Sequence, residues 1–468
     1  MDDKLDVYTG TLVYRNVEFS FVFDSEILRL IPPKDKHHEV DKWFMKPLEN
    51  GLYIPGEPVY IEADYLIGNC NENCQKIIFL PKYTSIGKYN SVLIVPIQAY
   101  IIQKHDGDWI DRLGFMGQEI DCIYPTSKAL EALEWTEDGV ISIKTKDFYN
   151  TTSPKEYFSV DGKEVSVCFG ILRRSSYKVG NPPLELHSQM FFEFEKTRDY
   201  AFILKLWRIA KRFIQFLCYR NNVHLSSVDV SAPVEDGKHL KFATLNIVNE
   251  DICDESEALE KRRYIKQEYI SGTEGKILND IAEGKIYLRH LPDTYRAGRS
   301  INAARFVMIT AAFEWTFKKN YPKGIEKSPS TVEAEENATK VLIDLIEEST
   351  GKLKETYKFL RKLIGSNSLQ NEIIQISKDY KEIIDTFGQH LYSMNDEILN
   401  YSDMGARLST QRNNYAHGNL DKEFDGLSIL DLIYLERIIY AMQLKEYGVE
   451  NKLIQRAIND LFACHLAL

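Results

Sequence analysis

Apolar and polar positions alternate through the first half of the chain. Val17, Phe19, Phe21 and Phe23 are interleaved with Glu18, Ser20 and Val22, the period of a strand with one buried face. Segments 59–67, 76–80, 91–102, 119–124, 139–145, 164–172 and 190–195 have the same β-branched and aromatic character, and Gly, Pro, Asn and Asp clusters separate them. Many short strands between turn signals predict an antiparallel sandwich or barrel-like domain. No repeat of fixed period interrupts them. Near Arg198 the period changes: residues 202, 203, 206, 209, 213, 216 and 217 are apolar, which predicts a helix over 198–220. Strand character returns at 224–231 and 241–248, and the polar stretch 251–269 reads as a surface helix or linker.

From about residue 296 the period is helical throughout. Phe306, Ile309, Phe313 and Phe317 form one stripe, and residues 327–337 read as a polar break. Helices are predicted at about 333–348, 352–365, 369–388 and 390–416, the last ended by Gly418 in a left-handed cap. Two more follow at 428–446, burying Leu430, Ile433, Tyr434, Ile438 and Ala441, and at 450–463. The fold class is therefore α+β and multidomain: an antiparallel β-rich domain with accessory helices over 1–285, then an all-α bundle over 286–468.

Composition narrows the classes of function. At 44% hydrophobic and 27% charged, the 468-residue chain can bury large cores. A net charge of -11 argues against a blanket nucleic-acid coat but permits a local cationic pocket. Seven scattered cysteines predict reduced thiols. The polar start and the lack of a long apolar run predict a cytoplasmic protein without a membrane span. Cys70 and Cys74 have no second ligand pair, so no metal and no cofactor are expected. His37-His38 reads as a solvated loop, and Arg173-Arg174 with Lys178 as an exposed basic turn. No Gly-rich phosphate loop and no Ser/His/Asp set stands out.

One segment carries chemistry: Gln411-Arg412-Asn413-Asn414-Tyr415-Ala416-His417-Gly418. Asn413 and His417 are four apart and share a helix face. Arg412 and His417 lie about 140° apart around the axis, so they flank one groove or meet their copies across an interface. A guanidinium binds phosphate through paired hydrogen bonds and stabilises transition-state charge. Histidine moves protons near neutral pH, and the negative end of the helix dipole favours a cationic ring. If RNA is the substrate, its own 2′-OH supplies the nucleophile and no metal is needed. The bland alternative is a helix cap followed by a solvated turn. A near copy, Arg220-Asn221-Asn222-Val223-His224, sits where a helix gives way to a strand and reads as structural.

The Arg-Asn-x-x-x-His motif, at the end of a helix in a C-terminal bundle, resembles the signature of the HEPN superfamily. Residues 304–317, with Glu314 inside the apolar stripe, resemble its first helix. The strand-rich half, through segments 113–125 and 188–195, is similar to the N-terminal domain of ApeA-type defence proteins. The resemblance implies a metal-independent endoribonuclease that dimerises so that two motifs face one cleft. It implies that Arg412 binds the scissile phosphate, that His417 is the general acid/base or a phosphate ligand, and that Asn413 supports His417. Glu314 would organise the motif, with Asn414 and Tyr415 as supporting residues. It further implies a toxic effector of bacterial anti-phage defence by abortive infection. The expected partners are single-stranded or looped RNA such as tRNA, a second copy of the chain and a phage-encoded trigger, with neither DNA nor membrane. Two other readings stay open: a non-catalytic module that binds a nucleotide or protein, and a sensor of a phage protein whose helical half only dimerises.

Overall fold

The computed structural model describes residues 5–467 except 49–51, 73–74, 84, 136–137, 140, 148–150, 177–179, 181, 183, 235–237, 249–253, 365–367 and 420–425. Cys74, Lys178 and Cys253 lie outside the described residues. The chain is α+β and forms two compact units, 1–260 with 266–285, and 261–265 with 286–468.

The first unit is built on antiparallel strands. Six of them, β1 (Tyr8–Tyr14), β2 (Val17–Phe23), β3 (Ile27–Ile31), β4 (Leu66–Cys70), β5 (Lys76–Pro81) and β6 (Val92–Gln103), close into a barrel in the order β6-β3-β2-β1-β4-β5-β6. The alternation read at 17–23 is the barrel's inside: Val17, Phe19, Phe21 and Phe23 are buried. Edge-to-face contacts of Phe21 and Phe23 with Phe79, at 5.3 and 5.0 Å, fill the centre. Closure needs two strands to approach closely at Phe21. Gly10 and Gly68 stand opposite its ring, and a methyl group on Gly10 would lie 1.9 Å from the Asn69 carbonyl oxygen.

β6 is twelve residues long and joins the barrel to the rest of one continuous sheet. Leu93–Pro96 pair with β3, while Ala99–Gln103 pair with β5 and also with a strand at His239–Ile247. The sheet runs on from there through Ser227–Pro233, Ile110–Met116, Leu184–Thr197, Lys163–Ser175 and Glu156–Val160. The predicted helix at 198–220 is α2 (Tyr200–Cys218), capped by Asp199.

Segment 119–124 departs from its predicted strand. It is a helix, α1 (Gln118–Ile123), with Glu119, Ile120 and Ile123 buried. What the sequence pattern could not show is that Glu119 has a buried partner, Arg220, whose Nη2 lies 2.9 Å from Glu119 Oε1. A helical turn puts the carboxylate on the inner face beside the isoleucines.

The second unit is helical: α3 (Ala303–Asn320), α4 (Pro329–Glu348), α5 (Gly351–Leu363), α6 (Leu369–Asp379), α7 (Lys381–Ser393), α8 (Tyr401–Ala416), α9 (Gly426–Glu446) and α10 (Asn451–Leu461). Three predicted boundaries are corrected. The single helix expected at 369–388 is divided at Tyr380 into α6 and α7, and α7 runs on to Ser393. The polar break at 327–337 instead opens α4, because Ser328 caps it and Pro329 takes the first helical position. The single helix expected at 390–416 is interrupted over 394–400. Asp396 there takes a left-handed φ of 58°, and Asn400 restarts the chain by accepting hydrogen bonds from the Ser402 and Asp403 N–H groups. The Phe306, Ile309, Phe313, Phe317 stripe is fully buried. α9 is buried almost all round and forms the centre of the unit.

Replacing Gly10 by alanine should destabilise the barrel by about 2 kcal/mol or more, because backbone as well as the Phe21 ring must move. Urea unfolding followed by tyrosine and tryptophan fluorescence measures this, and an unchanged midpoint would contradict the close approach.

Candidate functional site

The motif helix α8 is fixed at three places before its chemistry begins. At its start, the Tyr401 hydroxyl donates to Asp385 Oδ1 at 2.6 Å and lies 2.8 Å from the Tyr434 hydroxyl. One turn on, Gly405 lets α8 lie against α6. A Cβ there would stand 2.6 Å from the Gln370 Cα. Next, Arg407 donates through Nε and Nη2, each at 2.8 Å, to the two oxygens of Asp431 on α9. Asp431 is fully buried and also accepts from the Tyr392 hydroxyl of α7. The Asp431 carboxylate raises the Arg407 guanidinium above its ordinary range through this paired bond.

Beyond Arg407 the helix emerges. Arg412 is half-buried, and its Nη2 donates to Glu314 Oε2 of α3 at 3.0 Å. The predicted partner in the opening helix is thus brought to the motif. Among the described residues Arg412 makes no other hydrogen bond, so Glu314 takes only one of its nitrogens. His417 follows as the residue that ends α8, with φ -95° and ψ 8°, and its side chain is exposed. The helix closes as predicted. Gly418 takes φ +78°, its N–H donates to the Tyr415 carbonyl, and the Asn419 N–H donates to the Asn414 carbonyl.

The remaining motif residues divide. Tyr415 is buried, edge-on to Phe306 at 5.6 Å, and ties the motif to the start of α3. Asn414 is half-buried and acts through its backbone. Asn413 is exposed, and what joins it to His417 is the His417 N–H donating to its carbonyl at 3.1 Å. No side-chain hydrogen bond links the two. The structure therefore brings Arg412 to Glu314 and leaves His417 and Asn413 open at the helix end.

Sequence reading missed Glu372. It lies on α6, 5% exposed, and its Oε2 has no hydrogen-bond partner. Burial pushes its carboxyl up to about 7; Glu314 adds to the rise, and Lys318 and Arg412 oppose it. Glu314 and Lys318 are one turn apart on α3, so α3, α6 and α8 bring two carboxyls, a guanidinium and an ammonium together. Gln411, beside Arg412, is also buried, with its amide nitrogen unpartnered. The sequence signal for Glu372 was an acid within the inward spacing of Leu369, Ile373 and Ile376.

The near copy at Arg220 is a different object. Its guanidinium is 1% exposed, paired with Glu119, and its Nε donates to the Asn222 carbonyl at 3.0 Å. Among the described residues no group of three or more His, Cys, Asp or Glu side chains is placed to hold a metal ion. Among them also, no helix is long and apolar enough to cross a membrane. In comparisons with known proteins, no family model and no curated protein matches the chain.

Two outcomes follow. Arg220→Ala should cost about 3–5 kcal/mol, because it strands the buried Glu119 charge. Arg412→Ala should cost no more than about 1 kcal/mol, because its ion pair is open to water. Chemical denaturation of both variants distinguishes them. For Glu372, a folded-state pKa above the unfolded value means that stability is full below about pH 4.5 and falls as pH rises through about 7. Glu372→Gln should remove that fall and stabilise the protein at pH 8 by up to about 3 kcal/mol, with little gain at pH 4.5. Melting curves at both pH values check the sign.

Proposed function

We propose that the helical unit is a metal-independent endoribonuclease of the HEPN type, and that the protein is a toxic effector of bacterial anti-phage defence. In this reading two copies place their Arg412–His417 motifs in one cleft, cytoplasmic single-stranded or looped RNA such as tRNA is cut, and a phage-encoded component triggers the response. The β-rich unit, similar in pattern to the N-terminal domain of ApeA-type proteins, is the sensing and restraining part.

The observation that carries the reading is the state of Arg412. It is anchored by one nitrogen to Glu314, its other donors have no partner among the described residues, and the exposed His417 follows on the same helix end. A buried arginine paired on all sides has nothing left to offer a phosphate; this one does. Glu372 sharpens the point. Held near neutrality, its carboxyl does not add a second full negative charge beside Glu314, so the guanidinium keeps its pull on an anion.

The chemistry follows from these groups. The RNA 2′-hydroxyl gives up its proton to solvent as its oxygen attacks the adjacent phosphorus, and the bond to the 5′-oxygen breaks, leaving a 2′,3′-cyclic phosphate and a 5′-hydroxyl. Arg412 stabilises the charge that builds on the non-bridging oxygens. His417 hands a proton to the departing 5′-oxygen. A flexible strand reaches the in-line geometry more readily than an A-form duplex, which is the reason for preferring loops.

The test is cleavage of total tRNA and an unstructured RNA in excess EDTA by wild type, Arg412→Ala and His417→Ala, with a 2′-deoxy substrate as control. Each substitution should reduce the rate at least about 100-fold, and the deoxy substrate should survive. Equal cleavage by all three proteins would move the activity away from this motif.

A further inference from the structure

Within the helical unit, α4 and α5 form a hairpin that buries none of its own residues. Ser349 and Thr350 join the two helices, which pack on each other. Leu342, Leu345 and Ile346 are half-covered in that contact. The outer side is a different matter: Val341 is 57% exposed, Leu353 53%, Phe359 60% and Leu360 41%. Apolar side chains this large, clustered on one short hairpin, mark a contact surface. On α5, Leu353, Tyr357 and Leu360 repeat at spacings of four and three, the seam that helices present to other helices.

Charge identifies the occupant. α4 carries six acidic residues and one lysine, while α5 carries five basic residues and one glutamate. Among the described residues no ion pair joins the acidic arm to the basic arm of one chain; the pairs on this hairpin are Lys327–Glu335 and Glu355–Lys358. A uniformly charged partner would match one arm and repel the other. A second copy of the same hairpin matches both. Turned about a two-fold axis, the acidic helix of each copy lies beside the basic helix of its mate, and the exposed apolar side chains meet in the middle.

We infer that α4 and α5 pair with the same hairpin of a second copy, forming an intermolecular four-helix bundle that holds the dimer. The two-fold operator makes the contact self-complementary and closed. Around the bundle every neighbouring pair of helices is opposite in charge, which also rejects the register that sets acidic beside acidic helices. The inference deepens the proposed function by naming the element that joins the two copies, and it rests on that reading only for its consequence in catalysis.

Sedimentation of the full chain tests it. Wild type should run at twice 54.2 kDa, and Phe359→Asp should weaken the dimer roughly 100-fold or more while leaving the circular-dichroism spectrum of the folded chain unchanged, because the ring is exposed in the single chain. A charge exchange tests the partner. One chain carries Glu336→Lys, Asp344→Lys and Glu347→Lys; the other carries Lys354→Glu, Lys358→Glu and Arg361→Glu. Each alone should be monomeric, and an equimolar mixture should form a dimer. A monomeric wild type, a dimer indifferent to Phe359→Asp, or a mixture that stays monomeric would overturn the inference and assign the face to a different protein. RNA cleavage is scored on the same samples. A dimeric wild type that cleaves nothing counts against the ribonuclease reading and leaves the hairpin contact standing.

Discussion

A single buried carboxylate, Asp431, governs the geometry of the helical unit. It sits on the central helix with no exposure to water, where an unpaired charge costs several kcal/mol. Arg407 from α8 and Tyr392 from α7 both turn toward it. The two-nitrogen bond from Arg407 fixes α8 in rotation as well as in distance, because a planar guanidinium meets a carboxylate in few orientations. Arg412 is five residues further along the same rigid rod. Whatever direction Arg407 imposes is transmitted to the motif without an intervening hinge.

That constraint explains why the site is built from three helices and not from a loop. Gly405 brings α8 against α6, and α6 is the helix that carries Glu372. Tyr415 meets Phe306 and Arg412 meets Glu314. Since Phe306 precedes Glu314 on α3 while Tyr415 follows Arg412 on α8, the two helices run antiparallel, and His417 lies toward the beginning of α3. The charged cluster is therefore framed by three helices, with the exposed histidine at the end of one of them. Such a frame keeps Arg412 in place while leaving most of its donors unspent, the condition for binding an anion without reorganising.

Local pattern made part of this legible. The period-two run at 17–23 and the buried stripe at 306–317 follow from burial on one face, and both are visible without knowing any partner. The Gly418 cap is local too, since a left-handed residue after a helix is a property of a few consecutive letters. The failures share a cause. Segment 119–124 looks like a strand until Arg220, about a hundred residues later, supplies a buried countercharge for Glu119. The pause at 394–400 depends on Asn400 capping a new helix where apolar spacing alone runs on. Glu372 is invisible in sequence because its meaning comes from Glu314 and Arg412, which approach it only in three dimensions.

The two Arg-Asn segments show how differently the fold can hold the same residue type. Arg220 and Arg412 both sit at or near the end of a helix, both are followed by Asn-Asn, and both face a glutamate at about the same distance, 2.9 and 3.0 Å. The difference is water. Arg220 is enclosed, its pairing with Glu119 has replaced the solvent that either charge would otherwise hold, and removing it leaves a carboxylate with nowhere to turn. Arg412 keeps solvent on its free donors, so its pairing with Glu314 is a tether that competes with any stronger anion arriving from outside. In the proposed reading an RNA phosphodiester, which like a carboxylate carries one negative charge and two free oxygens, competes with Glu314 for the guanidinium, and it gains on that carboxylate only as charge builds on its oxygens in the transition state.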